Sequence, residues 1–259
     1  MITHNKAISL SPIGFVRCAA RTPADVPPEG LPASLWVNSL LAPAVGGLEV
    51  GMHIYVIGWF DQADPATLLG SPGTTQERGV FSIRSSSRPN QLGLTLTQIE
   101  RIDGSVIDVQ WLDYADGTPI LDIKRYNARW ECIFSTPRDN RTHFERLIDR
   151  RSLETVLARP ARNFHGEACP WVDRVGEIGA TLVQEHGVFL GDSRLSAQIV
   201  GNGHLIDAWQ GMTGASFGNG RLTVDFQPYR QDGEIEARLD SARWRIEVTQ
   251  EWFVIEREE

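Results

Sequence analysis

The sequence lacks several features that define large classes of protein. It has three cysteines in 259 residues, and their odd number and wide spacing exclude a framework of disulfide bonds. It has no apolar run near the roughly 18 residues that a membrane-spanning helix needs. The first ten residues, MITHNKAISL, lack the basic and then apolar layout of a signal peptide. These absences predict a cytoplasmic protein with reduced thiols and no membrane partner.

Positive charge is also scarce, because 25 Lys and Arg stand against 33 Asp and Glu and the formal net charge is −8. Nonspecific binding to nucleic acid depends on contacts from Lys and Arg to phosphate. DNA is therefore not an expected partner, and the charge disfavours tRNA. Segment 138–162 is an exception, with seven Arg against four acidic residues. It offers a phosphate backbone a place to dock, although a solvated helix face with i,i+4 ion pairs is the simpler interpretation.

The hydrophobic period changes along the chain. Up to about residue 135 the sequence reads as short strands, including 54–60, 92–96 and 106–112, which predicts a mostly β N-terminal domain, a barrel or a sandwich. From His143 the apolar residues follow a helical period that Pro160 is expected to end, and a second helix is predicted near 172–187. Strands follow, so the C-terminal part is predicted to be α+β. The predicted domains are 1–137, a basic helical linker at 138–162, and 163–259.

Two segments, 77–94 and 112–126, place charged and turn-forming residues beside short strands. Asp-Gly-Thr-Pro at 116–119 predicts a tight turn whose backbone groups are directional hydrogen-bonding partners. Asp122 and Lys124 lie two residues apart on the next strand and therefore project to the same side of it. A polar binding pocket and a purely structural turn with an ion pair are both consistent with this pattern.

The motif order G-V-F-x-x-R, R-P-N-x-x-G-L, D-G-T-P and L-D-I-K-x-Y resembles that of the TsaA/TrmO-like methyltransferases, across about residues 8–137. The resemblance implies a β-barrel that binds S-adenosylmethionine through Arg84, Leu94, Asp116, Gly117, Thr118 and Pro119. Two other cofactor motifs of the family are altered here. Asp61 and Gln62 follow the central strand where the family usually has His, and Pro27, Pro28 and Glu29 replace a Pro-Arg-Gln.

The same resemblance implies an S-adenosylmethionine-dependent methyltransferase that forms a homodimer. The family's best-known acceptor is N6 of a threonylcarbamoyl-modified adenosine in tRNA, a poor nucleophile that a base such as Asp116 or Asp122 would help by taking its proton. A small-molecule or metal-bound acceptor is the alternative, favoured by the acidic balance and the missing Pro-Arg-Gln. A third hypothesis is a non-enzymatic module that binds a metal or S-adenosylmethionine.

The stretch NFHGEACP places His165, Glu167 and Cys169 at every second position before a predicted helix. All three residue types bind transition metals, and in an extended segment this spacing brings their side chains to one side. Together with His204, the pattern resembles the FmdE-like domain, named for a subunit of formylmethanofuran dehydrogenase, across about 163–228. The resemblance implies a Zn²⁺ site formed by His165, Glu167, Cys169 and His204. Ordinary hydrogen-bonding side chains are the alternative interpretation.

Overall fold

The computed structural model describes residues 8–71, 77–132 and 148–258. The chain forms two compact units, Met1–Cys132 and Ile133–Glu259. Cys18, Cys132 and Cys169 are free thiols. Within the three described stretches, no helix combines the length and apolar character needed to cross a bilayer.

The first unit is built mainly from strands. They are β1 (Gly14–Arg17), β2 (Leu31–Val37), β3 (His53–Trp59), β4 (Leu69–Gly70), β5 (Arg78–Gly79), β6 (Leu92–Asp103), β7 (Val106–Leu112) and β8 (Pro119–Arg125). The described residues of this unit also form short 3-10 helices at Pro23–Asp25, Ser39–Val45 and Val80–Ser82 and one short helix, α1 (Ala128–Glu131).

Six of these strands close into an antiparallel barrel in the order β1, β2, β7, β6, β3, β8. Side chains alternate between the barrel interior and the outside, as strand geometry requires. Leu35, Ile54, Ile107 and Ile120 are completely buried inside. The predicted mostly β N-terminal fold is confirmed, and its form is a barrel. The pair β4 and β5 lies in the long connection from β3 to β6.

The second unit is α+β, as predicted. Its elements are α2 (Arg150–His165), α3 (Pro170–Gln184), β9 (Ser196–Gly201), α4 (Gly203–Thr213), β10 (Leu222–Phe226), β11 (Asp232–Leu239), β12 (Ala242–Thr249) and β13 (Phe253–Glu258). The sheet has the order β10, β9, β11, β12, β13, with only the β10–β9 pair parallel. Trp171 and Trp209 from the helices share one buried core with Ile199 and Ile246 from the sheet.

The prediction that Pro160 ends a helix is wrong, because α2 continues through Pro160 to His165. A proline inside a helix removes one hydrogen bond, but Leu157 and Ala161 on either side of it are buried in the core and hold the helix together. The helix ends instead at Gly166, which adopts a left-handed φ of 92°. Residues 138–147 of the expected linker lie outside the described part of the chain. Residues 150–162 of that linker belong to α2, which packs into the core of the second unit.

Two glycines allow α2 to lie close to its neighbouring helices. A Cβ at Gly176 of α3 would lie 2.8 Å from the carbonyl oxygen of Glu154, and one at Gly211 of α4 would lie 2.8 Å from that of Pro160. Backbone atoms cannot move aside as a flexible side chain can. These glycines therefore set how closely the helices approach each other.

We expect Gly176→Ala to lower the free energy of unfolding by about 1–3 kcal/mol, the usual cost of overpacking a core. The direction of this change is informative, since replacing Gly with Ala inside a helix ordinarily raises the free energy of unfolding by about 1 kcal/mol. Urea unfolding measures the change. Gly218→Ala is the control, because its Cβ would have only the Ser216 hydroxyl near it, at 4.0 Å. Equal stability of the two variants would contradict the role assigned to Gly176.

Candidate functional site

A cleft of about 490 Å³ opens at one end of the barrel. Strands β3 and β7 end there, and β2, β6 and β8 begin there, so the connections between them supply its walls. The volume is that of a small-molecule or cofactor site. The lining residues are Pro23, Val26, Pro27, Pro28, Phe60, Asp61, Gln62, Ala63, Arg84, Ser85, Ser86, Ser87, Arg88, Leu92, Gly93, Leu94, Thr95, Asp113, Ala115 and Thr118.

The cleft brings together most of the cofactor positions expected from the sequence. Arg84, Leu94 and Thr118, which match the family motifs, line it. The residues at the two altered motifs also line it, namely Pro27, Pro28, Asp61 and Gln62. Glu29, Asp116, Gly117 and Pro119 are not among the lining residues.

The connection between β3 and β6 forms one wall and is held by its own hydrogen bonds. Arg88 donates through Nη2 to the carbonyl oxygens of Val80 and Ile83. Gln91 donates through Nε2 to the carbonyl oxygen of Phe60 at 2.9 Å. Asn90 and Gln91 both have a positive φ, 69° and 52°, which Asn adopts more readily than most residues. The R-P-N motif is thus a structural corner, and Arg88 uses its guanidinium to brace it.

Arg84 differs from Arg88 in its position along this wall. Its Nη2 donates to the carbonyl oxygen of Leu94 on β6, so it fastens the wall to the barrel while lining the cleft. Among the lining residues, Arg84 and Arg88 are the basic ones and Asp61 and Asp113 the acidic ones. The cleft therefore offers both signs of charge to a bound molecule.

The Asp-Gly-Thr-Pro turn joins β7 to β8 as predicted. Gly117 has a left-handed φ of 82°, and the Thr118 hydroxyl donates to the carbonyl oxygen of Ala115 at 2.8 Å. Asp116 points to the segment that connects β1 to β2: it accepts from the backbone N–H of Cys18 at 3.1 Å and from Nη1 of Arg21 at 2.8 Å. Asp116 thereby ties this segment to the turn.

Asp122 also has a partner outside the cleft. Its carboxylate lies 2.7 Å from Nζ of Lys124, and both side chains are about half exposed. The two residues project to the same side of β8, as their spacing predicted, and form an ion pair. The cleft lining includes neither of the two residues that the sequence suggested as a base.

Asp113 and Thr95 are among the cleft residues that the sequence reasoning missed. The Thr95 hydroxyl donates to the Asp113 carboxylate, which fixes the carboxylate at the point where β7 ends. The available signal was the position of Asp113, directly after the predicted strand 106–112. Nothing in the sequence pairs it with Thr95, which lies 18 residues earlier in the chain, on β6.

Phe60, which lines the cleft, packs against the buried ring of Tyr114, and the two rings meet edge to face with centroids 5.1 Å apart. The Tyr114 hydroxyl donates to the carbonyl oxygen of Val56 at 2.8 Å. Burial raises the pKa of Tyr114 above its ordinary value, so the phenol stays neutral. Gly93 leaves room for both rings, because a Cβ there would lie 2.5 Å from Cζ of Phe60.

A second cluster lies in the second unit, where three helix ends converge. His165 is the last residue of α2, Cys169 caps the start of α3, and His204 is the second residue of α4. One ligand atom from each residue lies within 4.8 Å of the other two. Nε2 of His165 is 3.0 Å from Nδ1 of His204 and 3.7 Å from Oε1 of Glu167.

All four residues predicted to bind a metal therefore lie close together, but not for the predicted reason. His165 is helical and Gly166 is left-handed, so the segment is not extended and the chain reverses between His165 and Cys169. Two imidazoles and a thiol, with a carboxylate nearby, are ligand types that suit Zn²⁺. Asp207, whose Oδ2 lies 3.3 Å from Nδ1 of His165, was not predicted as part of the site.

The first unit is, by its architecture, a small closed β-barrel with a ligand-sized cleft at one end. Residues 23–132 match the model of the tRNA-methyltransferase O N-terminal domain. An S-adenosyl-L-methionine-binding protein of Archaeoglobus fulgidus is 36% identical over 129 residues, which are 48% of this chain and 93% of that protein. The chain belongs to the tRNA-methyltransferase O N-terminal domain family.

Two further relatives carry names that describe an activity. A putative S-adenosylmethionine-dependent methyltransferase RcsF of Pseudomonas aeruginosa is 38% identical over 184 residues, 62% of this chain and 77% of that protein. A tRNA (adenine(37)-N6)-methyltransferase of Mus musculus is 36% identical over 94 residues, 33% of this chain and 21% of that protein. The similarity to the mouse enzyme thus covers a small part of it.

Proposed function

We propose that this protein is an S-adenosylmethionine-dependent methyltransferase that holds its methyl donor in the barrel cleft. The observation that carries the proposal is the convergence of Arg84, Leu94 and Thr118 on one cleft of about 490 Å³, since these residues match the family's cofactor motifs. The names of the relatives from Archaeoglobus fulgidus and Pseudomonas aeruginosa support the same donor. The proposal includes a cytoplasmic location and a homodimer, for which the family resemblance is the ground.

The charges of the cleft complement those of the donor. S-adenosylmethionine carries a carboxylate, an ammonium and a sulfonium, and an adenine with a flat face. In this proposal Arg84 pairs with the carboxylate, because a guanidinium matches its geometry. Asp61 is the counter-charge for the cationic groups, and Phe60 packs against the adenine.

Methyl transfer needs an acceptor atom held in line with the sulfonium at about 3–3.5 Å. The acceptor's electron pair forms the new bond to the methyl carbon while the bond from sulfur breaks, and the sulfonium becomes a neutral thioether. A nitrogen acceptor then loses its proton. We propose Asp113 as the base, since it lines the cleft and Thr95 fixes it. Asp116 and Asp122 remain sequence predictions for this role, with their carboxylates held by Arg21 and Lys124.

For the acceptor we propose N6 of adenosine in tRNA, and threonylcarbamoyladenosine as the particular nucleoside. The name of the mouse relative and the family resemblance support this choice. A small-molecule acceptor is the second candidate. The ion pairs of two arginines in segment 138–162 favour the small-molecule acceptor. Arg150 is 2.6 Å from Glu154 and Arg162 is 3.1 Å from Asp173. An arginine already paired with a carboxylate binds phosphate less readily.

The proposal is tested in two steps with the full chain. We expect calorimetry to detect one S-adenosylmethionine per chain. Labelled donor is then offered to tRNA with and without the threonylcarbamoyl group, and separately to a metabolite extract. Label in the modified tRNA supports the first acceptor, and label in the extract the second. Absence of donor binding would refute the methyltransferase proposal itself.

We also propose that the second unit binds Zn²⁺ through His165, Cys169 and His204, with Glu167 as a neighbouring donor, as an FmdE-like domain would. The supporting observation is the approach of the three ligand atoms to within 4.8 Å. With three protein ligands a zinc site keeps a position open to water or substrate, and a fourth closes it. When bound, Zn²⁺ would supply a Lewis acid in the open form. Metal analysis of the purified chain is expected to give one equivalent.

A further inference from the structure

Asp207 lies on the same helix as one of the proposed metal ligands. It follows His204 by three residues on α4, which puts both side chains on one face of the helix. Both reach His165 on α2: Oδ2 of Asp207 is 3.3 Å from its Nδ1, and Nδ1 of His204 is 3.0 Å from its Nε2. The two ring nitrogens of His165 therefore face different partners.

The identity of these partners sets the tautomer of His165. A neutral imidazole carries one proton, and a carboxylate facing it accepts that proton in a hydrogen bond. With Nδ1 donating to Asp207, the lone pair is left on Nε2. This is the nitrogen that faces His204 and lies 3.7 Å from Oε1 of Glu167.

We infer that Asp207 is the positioning residue of the metal site: it holds the Nδ1 proton of His165 and so makes Nε2 the metal ligand. The inference rests on the proposed metal site. Metal-binding histidines usually donate their second ring nitrogen to a carboxylate or carbonyl in this way, which fixes the ring and makes the ligand more basic. Asp207 does this without being a ligand itself.

The two histidines consequently have unequal roles. The His165 side chain is 8% exposed and its ring is held on both sides, whereas His204 is exposed and approaches through Nδ1. His165 and Cys169, both partly buried, form the inner wall of the site. His204 and Glu167, which are both exposed, form its solvent side.

Asp207→Ala is expected to weaken Zn²⁺ and Co²⁺ binding about 10-fold, near the lower end of what loss of such a partner usually costs. Asp207→Asn keeps a carbonyl that accepts from Nδ1, so it is expected to recover most of the lost affinity. Competition with a chelator measures the affinity of the full chain for Zn²⁺, and the Co²⁺ spectrum shows whether the thiolate of Cys169 stays bound.

Asp240→Asn is the matched control. Asp240 pairs with Arg194 at 2.7 Å, is not one of the clustered residues, and has a φ of 54° that suits Asn. The thermal midpoint of the chelator-treated Asp207 variants is expected to equal that of the parent, which separates positioning from a general structural role. Parent-like affinity in Asp207→Ala would overturn the inference and leave the metal site standing. A parent chain that binds no metal would overturn both.

Discussion

Replacing Arg84 with alanine is expected to weaken S-adenosylmethionine binding about 100-fold. A hydrogen bond to a charged group contributes roughly 1.5–3 kcal/mol, and in the proposed complex Arg84 supplies such bonds to the donor's carboxylate. It also donates to the carbonyl oxygen of Leu94, so its loss frees the cleft wall from β6. Arg88 cannot take its place, because Arg88 already donates to Val80 and Ile83.

Calorimetry with the full chain measures this effect, and two further variants make it specific. Arg84→Lys keeps the charge but loses the planar fork, so an intermediate affinity is expected. Arg101→Ala removes an exposed arginine of the barrel that pairs with Asp108, and it should leave donor binding unchanged. Donor affinity within about twofold of the parent in Arg84→Ala would contradict the proposed orientation of the donor.

Replacing His204 with alanine is expected to lower the affinity of the second unit for Zn²⁺ more than 100-fold. One of three protein ligands is lost, and structural zinc sites owe roughly 10–16 kcal/mol of binding to their complete ligand sets. His204 is exposed, so its removal creates no cavity in the core. The variant should therefore fold and simply lack the metal.

Metal analysis after dialysis against a weak chelator measures the loss. His186→Ala is the control, since His186 lies beside Trp244, with ring centroids 6.2 Å apart, and is not one of the clustered residues. We expect one equivalent of zinc in the control and less than about one tenth in His204→Ala. One equivalent of zinc in both variants would mean that His204 is not a ligand, and no zinc in either would mean that the cluster binds no metal.

The two sites differ in how far the sequence predicted them. Arg84, Leu94 and Thr118 stand in motifs whose order is preserved along the chain, so a resemblance located them before any geometry was known. Asp113 was not predicted as a site residue, because a lone acidic residue after a strand has many possible roles. Its partner Thr95 is on another strand, and only the pairing of β6 with β7 around the barrel brings the two together.

The residues predicted as the catalytic base show what residue spacing along the sequence cannot predict. Asp122 and Lys124 were expected on one side of a strand, and they are. Neither residue lines the cleft, because the cleft lies at the end of the barrel where β8 begins and both residues lie further along the strand. Asp116 lies in the chain between Ala115 and Thr118, which line the cleft, yet its carboxylate accepts hydrogen bonds from Cys18 and Arg21. Side-chain direction at a turn depends on which backbone donors are within reach, which a sequence does not state.

The sequence by itself determined the mostly β character of the first unit, the α+β character of the second and the residue types of both sites. These are local properties, since hydrophobic period and turn residues act over a few positions. Tertiary structure decided that α2 passes Pro160, that Gly166 turns His165 toward Cys169, and that Asp207 faces His165. The first and the third of these depend on the packing of α2 against helices further along the chain, where burial and packing outweigh local preference.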